Sequence, residues 1–172
     1  MRNAELEDGS VTAGQWWDSN DKTYVRAKNA AYRLLTYRPR SRAELRQKLQ
    51  EKAFDAVIID AVLADLVRLG YVNDRQFAEQ FASSRIRFRG LGKRRLEREL
   101  GAKGIDRQIV NETLTRIFEG DTEIETAKKA AERKLTSMKS ADWETKRRRL
   151  AGFLERKGFS YDVIRTVLRK SE

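Results

Sequence analysis

Between Arg85 and Arg98 the chain carries Arg85, Arg87, Arg89, Lys93, Arg94, Arg95 and Arg98, opposed only by Glu97. Side chains of this type bind anions: the arginine fork is planar, permanently charged and matched to phosphate or carboxylate oxygens. A second run, Lys146-Arg147-Arg148-Arg149, offers the same chemistry further along. Inside the first run, Gly90-Leu91-Gly92-Lys93 invites comparison with a nucleotide-binding loop. A Walker loop needs a glycine five residues before its Gly-Lys pair, and serine or threonine after the lysine. Arg87 and Arg94 stand in those places and no strand precedes them, so the match fails. Cysteine and histidine are absent, which removes thiolate and imidazole metal sites, the cysteine nucleophile and histidine-centred triads. Carboxylates fall mostly at expected helix starts (Asp21, Asp55, Asp74, Asp106 and Asp121) or among basic neighbours on helix surfaces, where caps and solvated faces explain them better than acid–base work. The expectation is a protein with no catalytic residues, no metal and no cofactor.

Composition points to the partner's charge. The chain has 172 residues, 37 Lys+Arg and 26 Asp+Glu, a net charge of +11 and a pI near 10.1. That balance suits nucleic acid, an acidic protein surface or an anionic membrane. No apolar run approaches the ~18 residues that span a bilayer, and no signal-peptide core opens the chain. The expectation is a cytoplasmic monomer with no membrane partner.

The elements that must position these basic runs are helices in a tandem repeat. Leu-x-x-x-Leu-x-x-Lys followed by Gly or Ala and Phe or Ile occurs three times: from Leu45, Leu49 to Phe54, from Leu96, Leu100 to Ile105, and from Leu150, Leu154 to Phe159. The copies are offset by 51 and then 54, and Ile58, Ile109 and Val163 keep the register, as do Leu63, Leu114 and Leu168. Upstream, Ala27 to Leu35 matches Ala127 to Leu135 at a displacement of 100. Such self-similarity marks a tandem architecture. One proline and no strand-like alternation make the chain all-α. Three three-helix repeats are expected over residues 23–70, 71–119 and 120–172, behind an N-terminal tail at 1–22.

In the first repeat Asp21 caps a helix from Tyr24 to Tyr37, which Pro39 stops. Ser41-Arg42-Ala43-Glu44 is a capping box opening the second, which buries Leu45 and Leu49. The third starts at Asp55, carries Ile58, Val62, Leu66 and Leu69 on its apolar face and ends at Gly70. In the second repeat Asn73 to Gln76 caps a helix burying Phe77, Ala78, Phe81 and Phe88, and Lys103-Gly104-Ile105 has the form of a Schellman ending. A unit of roughly 50 residues is marginal alone, so neighbours should stabilise one another. Val57, Ile59 and Val67, off the main apolar face, predict a third helix sandwiched between units in an elongated, curved rod. Trp16 and Trp17 should dock on the body of the protein. Arg94 and Arg98, with Arg95 beside them, face away from Leu96 and Leu100. Together with Arg87, Arg89, Lys93 and Lys146 to Arg149 they predict one basic stripe that contacts partner or phosphate. Arg85 lies at the edge of the buried face, where an ion-pair or stem-packing role fits it.

Ser41-Arg42-Ala43-Glu44-Leu45 leading to Leu49 and Lys52, Gly70 to Ala78, Ser84-Arg85, and Gly92 through Glu99-Leu100 to Lys103-Gly104-Ile105 closely resemble the RecX family signature. The resemblance covers roughly residues 24–170. It implies a bacterial regulator of the RecA recombinase. Such a protein has three three-helix repeats, binds in the groove of the RecA filament on single-stranded DNA, and usually inhibits its ATPase, strand-exchange and coprotease activities. It places the protein in DNA repair, homologous recombination and the SOS response; a weak direct contact to DNA is a further expectation. The chain departs from the family at Ala53, where glycine is common, and at Lys93, where proline is common. The first departure implies a modified ending of the second helix, without a left-handed glycine. Two other readings remain: a helix-turn-helix DNA binder, whose second core helix would enter the major groove, and a helical scaffold.

Overall fold

The computed structural model describes residues 22–138 and 142–169, which form nine α-helices and no strand. They are α1 (Lys22–Tyr37), α2 (Arg42–Gln50), α3 (Ala56–Arg68), α4 (Asp74–Arg89), α5 (Lys93–Ala102), α6 (Arg107–Ile117), α7 (Thr122–Leu135), α8 (Trp143–Lys157) and α9 (Tyr161–Arg169). The expected cap Asp21 and the tryptophans Trp16 and Trp17 lie outside the described residues. Among the described residues, no helix is long and apolar enough to cross a membrane. The chain divides into two compact units, one holding α1–α3 and the other α4–α9.

In the first unit α1 stops short of Pro39, and Ser41 opens α2 with the full capping box. Its hydroxyl accepts from the Glu44 N–H at 3.0 Å, and the Glu44 carboxylate accepts from the Ser41 N–H at 3.3 Å. Leu45 and Leu49 then point into a core completed by Ala27 and Ala31 of α1 and by Ile58, Ile59, Val62, Leu63 and Leu66 of α3. Leu69, expected on that face, is 46% exposed. The helix ends there, the chain turns through Gly70 at φ 76°, and Val72 closes the core instead, its N–H donating to the Leu66 carbonyl at 3.2 Å. Off the main apolar face of α3, Ile59 is buried within this unit, while Val57 is 64% and Val67 46% exposed.

The ending of α2 has no left-handed glycine, as the departure at Ala53 implies, yet it keeps the turn. Ala53 itself adopts the left-handed conformation, with φ 59°. The N–H groups of Ala53 and Phe54 donate to the carbonyls of Gln50 and Leu49 at 2.9 and 3.3 Å, so the Schellman turn survives without glycine. Holding a Cβ in that conformation costs about 1–2 kcal/mol. Ala53→Gly is therefore expected to raise the unfolding free energy of this unit by about 1 kcal/mol, less the added entropy of the unfolded glycine. Urea unfolding of the two proteins checks the sign.

Asp65 of α3 ties the unit together on its polar side. It accepts from Lys28 Nζ at 2.8 Å, from the Tyr24 hydroxyl and from Arg68 at 2.9 Å. These bonds, Lys28 first, hold its carboxyl well below the usual carboxylate range. A depressed carboxyl stabilises the folded state above its unfolded value of about 4, and that contribution fades as the pH falls below it. Asp65→Asn is expected to cost roughly 1–2 kcal/mol at pH 7, the site being partly solvated. The gap from wild type should narrow at pH 3, as urea unfolding at both pH values would show.

The second unit has two cores. Phe77, Ala78, Ala82, Leu91, Leu96, Leu100 and Leu114 build one, and Ala127, Ala131, Leu150, Leu154, Phe159, Ile164 and Val167 the other. Ala27 and Ala31, Ala78 and Ala82, and Ala127 and Ala131 form one further threefold set, all at most 2% exposed. A pair of alanines one turn apart leaves the first helix of each repeat smooth enough for the others to approach. Asn73, Asp106 and Asp142 cap α4, α6 and α8 through side-chain bonds. Asp55 and Asp121 occupy cap positions without such bonds, and Asp74 stands one residue inside α4. Ile105 N–H donates to the Leu100 carbonyl at 3.2 Å beyond Gly104 at φ 68°, a Schellman turn.

Lys28–Asp65 in the first repeat and Glu79–Arg116 in the second join first helix to third at equivalent places, with the charges exchanged. Phe88 departs from expectation: it is 72% exposed. Phe77 and Phe81 stack with centroids 5.8 Å apart on the same side of α4. Helical period reports direction and says nothing of how far the neighbouring helices extend, and at Phe88 no neighbour covers that side.

Candidate functional site

The ends of two helices in the second unit meet head to tail and shape its basic surface. Gly92 precedes α5, and its N–H donates to the Lys157 carbonyl at 2.9 Å; the Arg94 N–H donates to the Gly158 carbonyl at 3.0 Å. First-turn N–H groups and last-turn carbonyls lack partners within their own helices, so each end satisfies the other and the dipoles align favourably. Contact is backbone to backbone. A Cβ on Gly92 would lie 2.6 Å from the Phe159 nitrogen, and one on Gly158 would lie 2.4 Å from Arg95. Lys157 Nζ adds a bond to the Arg89 carbonyl, and the Glu123 carboxylate accepts from the Lys93 N–H at 3.1 Å.

This junction places the end of α4, the start of α5, α7 and the end of α8 around a cleft of about 870 Å³. From α4 come Arg87, Phe88 and Arg89; from α7, Lys129, Arg133 and Lys134; from α8, Phe153, Arg156 and Lys157. α5 supplies Arg95 and Glu99, the one carboxylate lining the cleft among the described residues. Glu99 is committed, bonding Arg95 at 2.9 Å and Arg85 at 3.1 Å. Burial pushes its carboxyl up, but the Arg95 bond and the Arg85 charge outweigh that and hold it below its usual value. Arg85 also stacks on Phe81, 4.6 Å from the centroid, which is the ion-pair and packing geometry expected of it. The remaining cations of the cleft have no carboxylate partner among the described residues. Burial, and after it the charges of Arg89 and Arg133, depress the Lys157 ammonium. An anion in the cleft would relieve that repulsion.

The aromatic rings differ in availability. Phe153 already faces Lys157 at 5.3 Å and Lys134 at 5.8 Å. Phe88 has only the Arg87 guanidinium, 5.3 Å from its centroid, and is otherwise open to solvent.

The residues expected in one stripe are spread over three depressions. Arg87, Arg89 and Arg95 line the cleft. Arg94 and Arg147 border a second depression of about 440 Å³ with Arg165 and Arg169, over an apolar floor that includes Phe159 and Leu168. Arg148 and Arg149 border a third of about 400 Å³; Lys134 and Arg156 line both it and the cleft, so those two adjoin. Lys93 and Lys146 are half-buried and Arg98 exposed, none with its side-chain charge paired to a carboxylate among the described residues. Lys129, Arg133, Lys134, Arg156 and Lys157 were not anticipated as a site. The signal available was the one-turn pair Lys129 and Arg133, but nothing local said which surface α7 would share.

Models of the first, second and third three-helix domains of RecX match residues 27–66, 73–114 and 121–168. The regulatory protein RecX of Amycolatopsis mediterranei is 35% identical over 150 residues, covering 87% of this chain and 85% of that protein. Its namesake in Bacillus velezensis is 36% identical over 168 residues, which span 98% of this chain and 62% of the longer relative. A crystal structure of RecX from Lactobacillus salivarius superposes with a TM-score of 0.78 at 26% identity, covering 86% of this chain and 96% of that one. With all three domains matched in order along the chain and relatives this similar over most of its length, the chain belongs to the RecX family.

Proposed function

We propose that this chain regulates the RecA recombinase in the cytoplasm by binding RecA filaments on single-stranded DNA, and that it lowers their ATPase, strand-exchange and coprotease activities without turnover of its own. The observation that carries this reading is the ordered match of all three RecX domains along one chain. The basic surface supports it physically, because a filament groove on DNA presents phosphates to whatever enters. The contacts fall to Arg87, Arg89, Lys93, Arg94, Arg95, Arg98 and Lys146 to Arg149, acting from a monomer. Arg95 is the weakest of these, since Glu99 already neutralises part of its charge.

Arg94 and Arg98 are exposed, unpaired among the described residues and outside the leucine face, so reversing them leaves the fold intact. Cosedimentation with RecA filaments on single-stranded DNA, against DNA alone, tests the reading across a salt series. The Arg94→Glu, Arg98→Glu double variant is expected to bind at least about tenfold more weakly. It should also show a salt slope shallower by roughly 0.7 for each phosphate that it no longer neutralises. Equal affinity and slope would put recognition elsewhere, and absence of wild-type cosedimentation would refute the RecA partnership.

A further inference from the structure

We propose that the cleft between the second and third repeats is a binding site for single-stranded nucleic acid, with Phe88 as a stacking platform for an unpaired base. This extends the proposed regulation of RecA by giving the cleft a ligand class, and it rests on oligonucleotide binding measured without RecA, so the two fail separately.

Three observations converge on the cleft. The first is charge. Arg89, Lys129, Arg133 and Arg156 reach it from three helices with no carboxylate partner among the described residues, and the one lining acid is already held by two arginines. Cations gathered from separate helices onto one concave surface follow a flexible phosphate chain; a single solvated helix face would carry them in one row. The second is the ring. A phenylalanine 72% exposed at the end of a helix, beside a cleft, has no role in the core. Arg87 covers only part of it, which leaves a face for a base and a guanidinium near the adjoining phosphate. The third is shape. A duplex hides its base faces and is too wide to lie in a recess between helices, so concavity and an open ring select single strands. An acidic peptide would satisfy the cations but offers Phe88 no flat partner.

The depressed Lys157 ammonium fits the same picture, since phosphate would return it toward its ordinary value. Phe153 works differently. Its ring is already engaged by Lys134 and Lys157, which line the cleft beside it.

Fluorescence anisotropy of the full chain with a labelled oligothymidine of about 20 nucleotides, without RecA, tests the assignment. Wild type should bind with a steep salt dependence, and a duplex of equal length should bind more weakly. Phe88→Ala, at an exposed position, should weaken single-strand binding about five- to hundredfold, the worth of one stacked base, while leaving the salt slope unchanged. Lys129→Glu with Arg133→Glu should weaken it at least as much and flatten the slope. Tyr37→Ala, which removes an aromatic 85% exposed on the other compact unit, is the control and should change nothing. Binding by Phe88→Ala equal to wild type would overturn the stacking role. Equal affinity for duplex would overturn the single-strand assignment. No oligonucleotide binding, with filament binding lost in the Lys129, Arg133 variant, would assign the cleft to an acidic protein surface and leave the regulation of RecA standing.

Discussion

Gly158→Ala is expected to destabilise the second unit by roughly 3–5 kcal/mol, enough to unfold a large part of it at physiological temperature. Gly158 has φ 91°, so any Cβ there first costs about 1–2 kcal/mol of backbone strain. The larger part comes from geometry. The new Cβ would stand 2.4 Å from both the nitrogen and the Cβ of Arg95, and backbone cannot swing aside as a flexible side chain can. Separating the two helix ends would break the bonds from Gly92 N–H to the Lys157 carbonyl and from Arg94 N–H to the Gly158 carbonyl. Each buried group left without a partner costs about 1–3 kcal/mol. Gly120→Ala isolates the strain alone: φ is 64° and nothing lies within 4 Å of its would-be Cβ. Urea unfolding should place Gly120→Ala near 1 kcal/mol and Gly158→Ala well above it. Equal losses would mean that the junction contributes nothing beyond backbone conformation. Gly92→Ala probes the same contact from the other side, with its Cβ 2.6 Å from the Phe159 nitrogen and no positive φ.

The second large effect concerns the leucines that define the repeat. Leu49, Leu100 and Leu154 are all completely buried, each in the core of its own repeat. Truncation to alanine is expected to cost about 2–5 kcal/mol in every case, the spread reflecting how far each site collapses onto the cavity. Amide hydrogen exchange read segment by segment checks this, with protection falling first in the helices that share the mutated core. One leucine among the three costing under about 1 kcal/mol would show that its repeat is packed on other residues and that the threefold pattern is sequence likeness without equivalent energetics. Leu45, Leu96 and Leu150, equally buried, are the second set on which to repeat the measurement.

Much of this fold is local and therefore legible along the chain. Helices, their caps and their inward faces depend on contacts three or four residues apart, which is why Ser41, Asn73, the Gly104 turn and the leucine pairs could be placed from spacing alone. The errors have one physical origin. Leu69 and Phe88 have the hydrophobic character and period of buried residues, yet period gives only a direction around one helix. Whether anything waits there depends on the length and placement of other helices, up to dozens of residues away.

The alanine at position 53 shows the converse. The turn's hydrogen bonds and the packing of Phe54 against the core keep a left-handed conformation that the residue type disfavours, so tertiary contacts outweigh about 1–2 kcal/mol of local preference. Binding chemistry divides in the same way. That the protein should meet an anion follows from composition, because charge needs no fold to exist. Which cations act together does not. Arg94 and Arg95 are adjacent in sequence yet face different depressions, while Arg89, Lys129 and Arg156 meet in one cleft because two glycines let the α8 and α5 backbones touch. Composition and periodicity settle a property of each residue or each helix; a site is a property of several helices at once, and only their packing brings it into being.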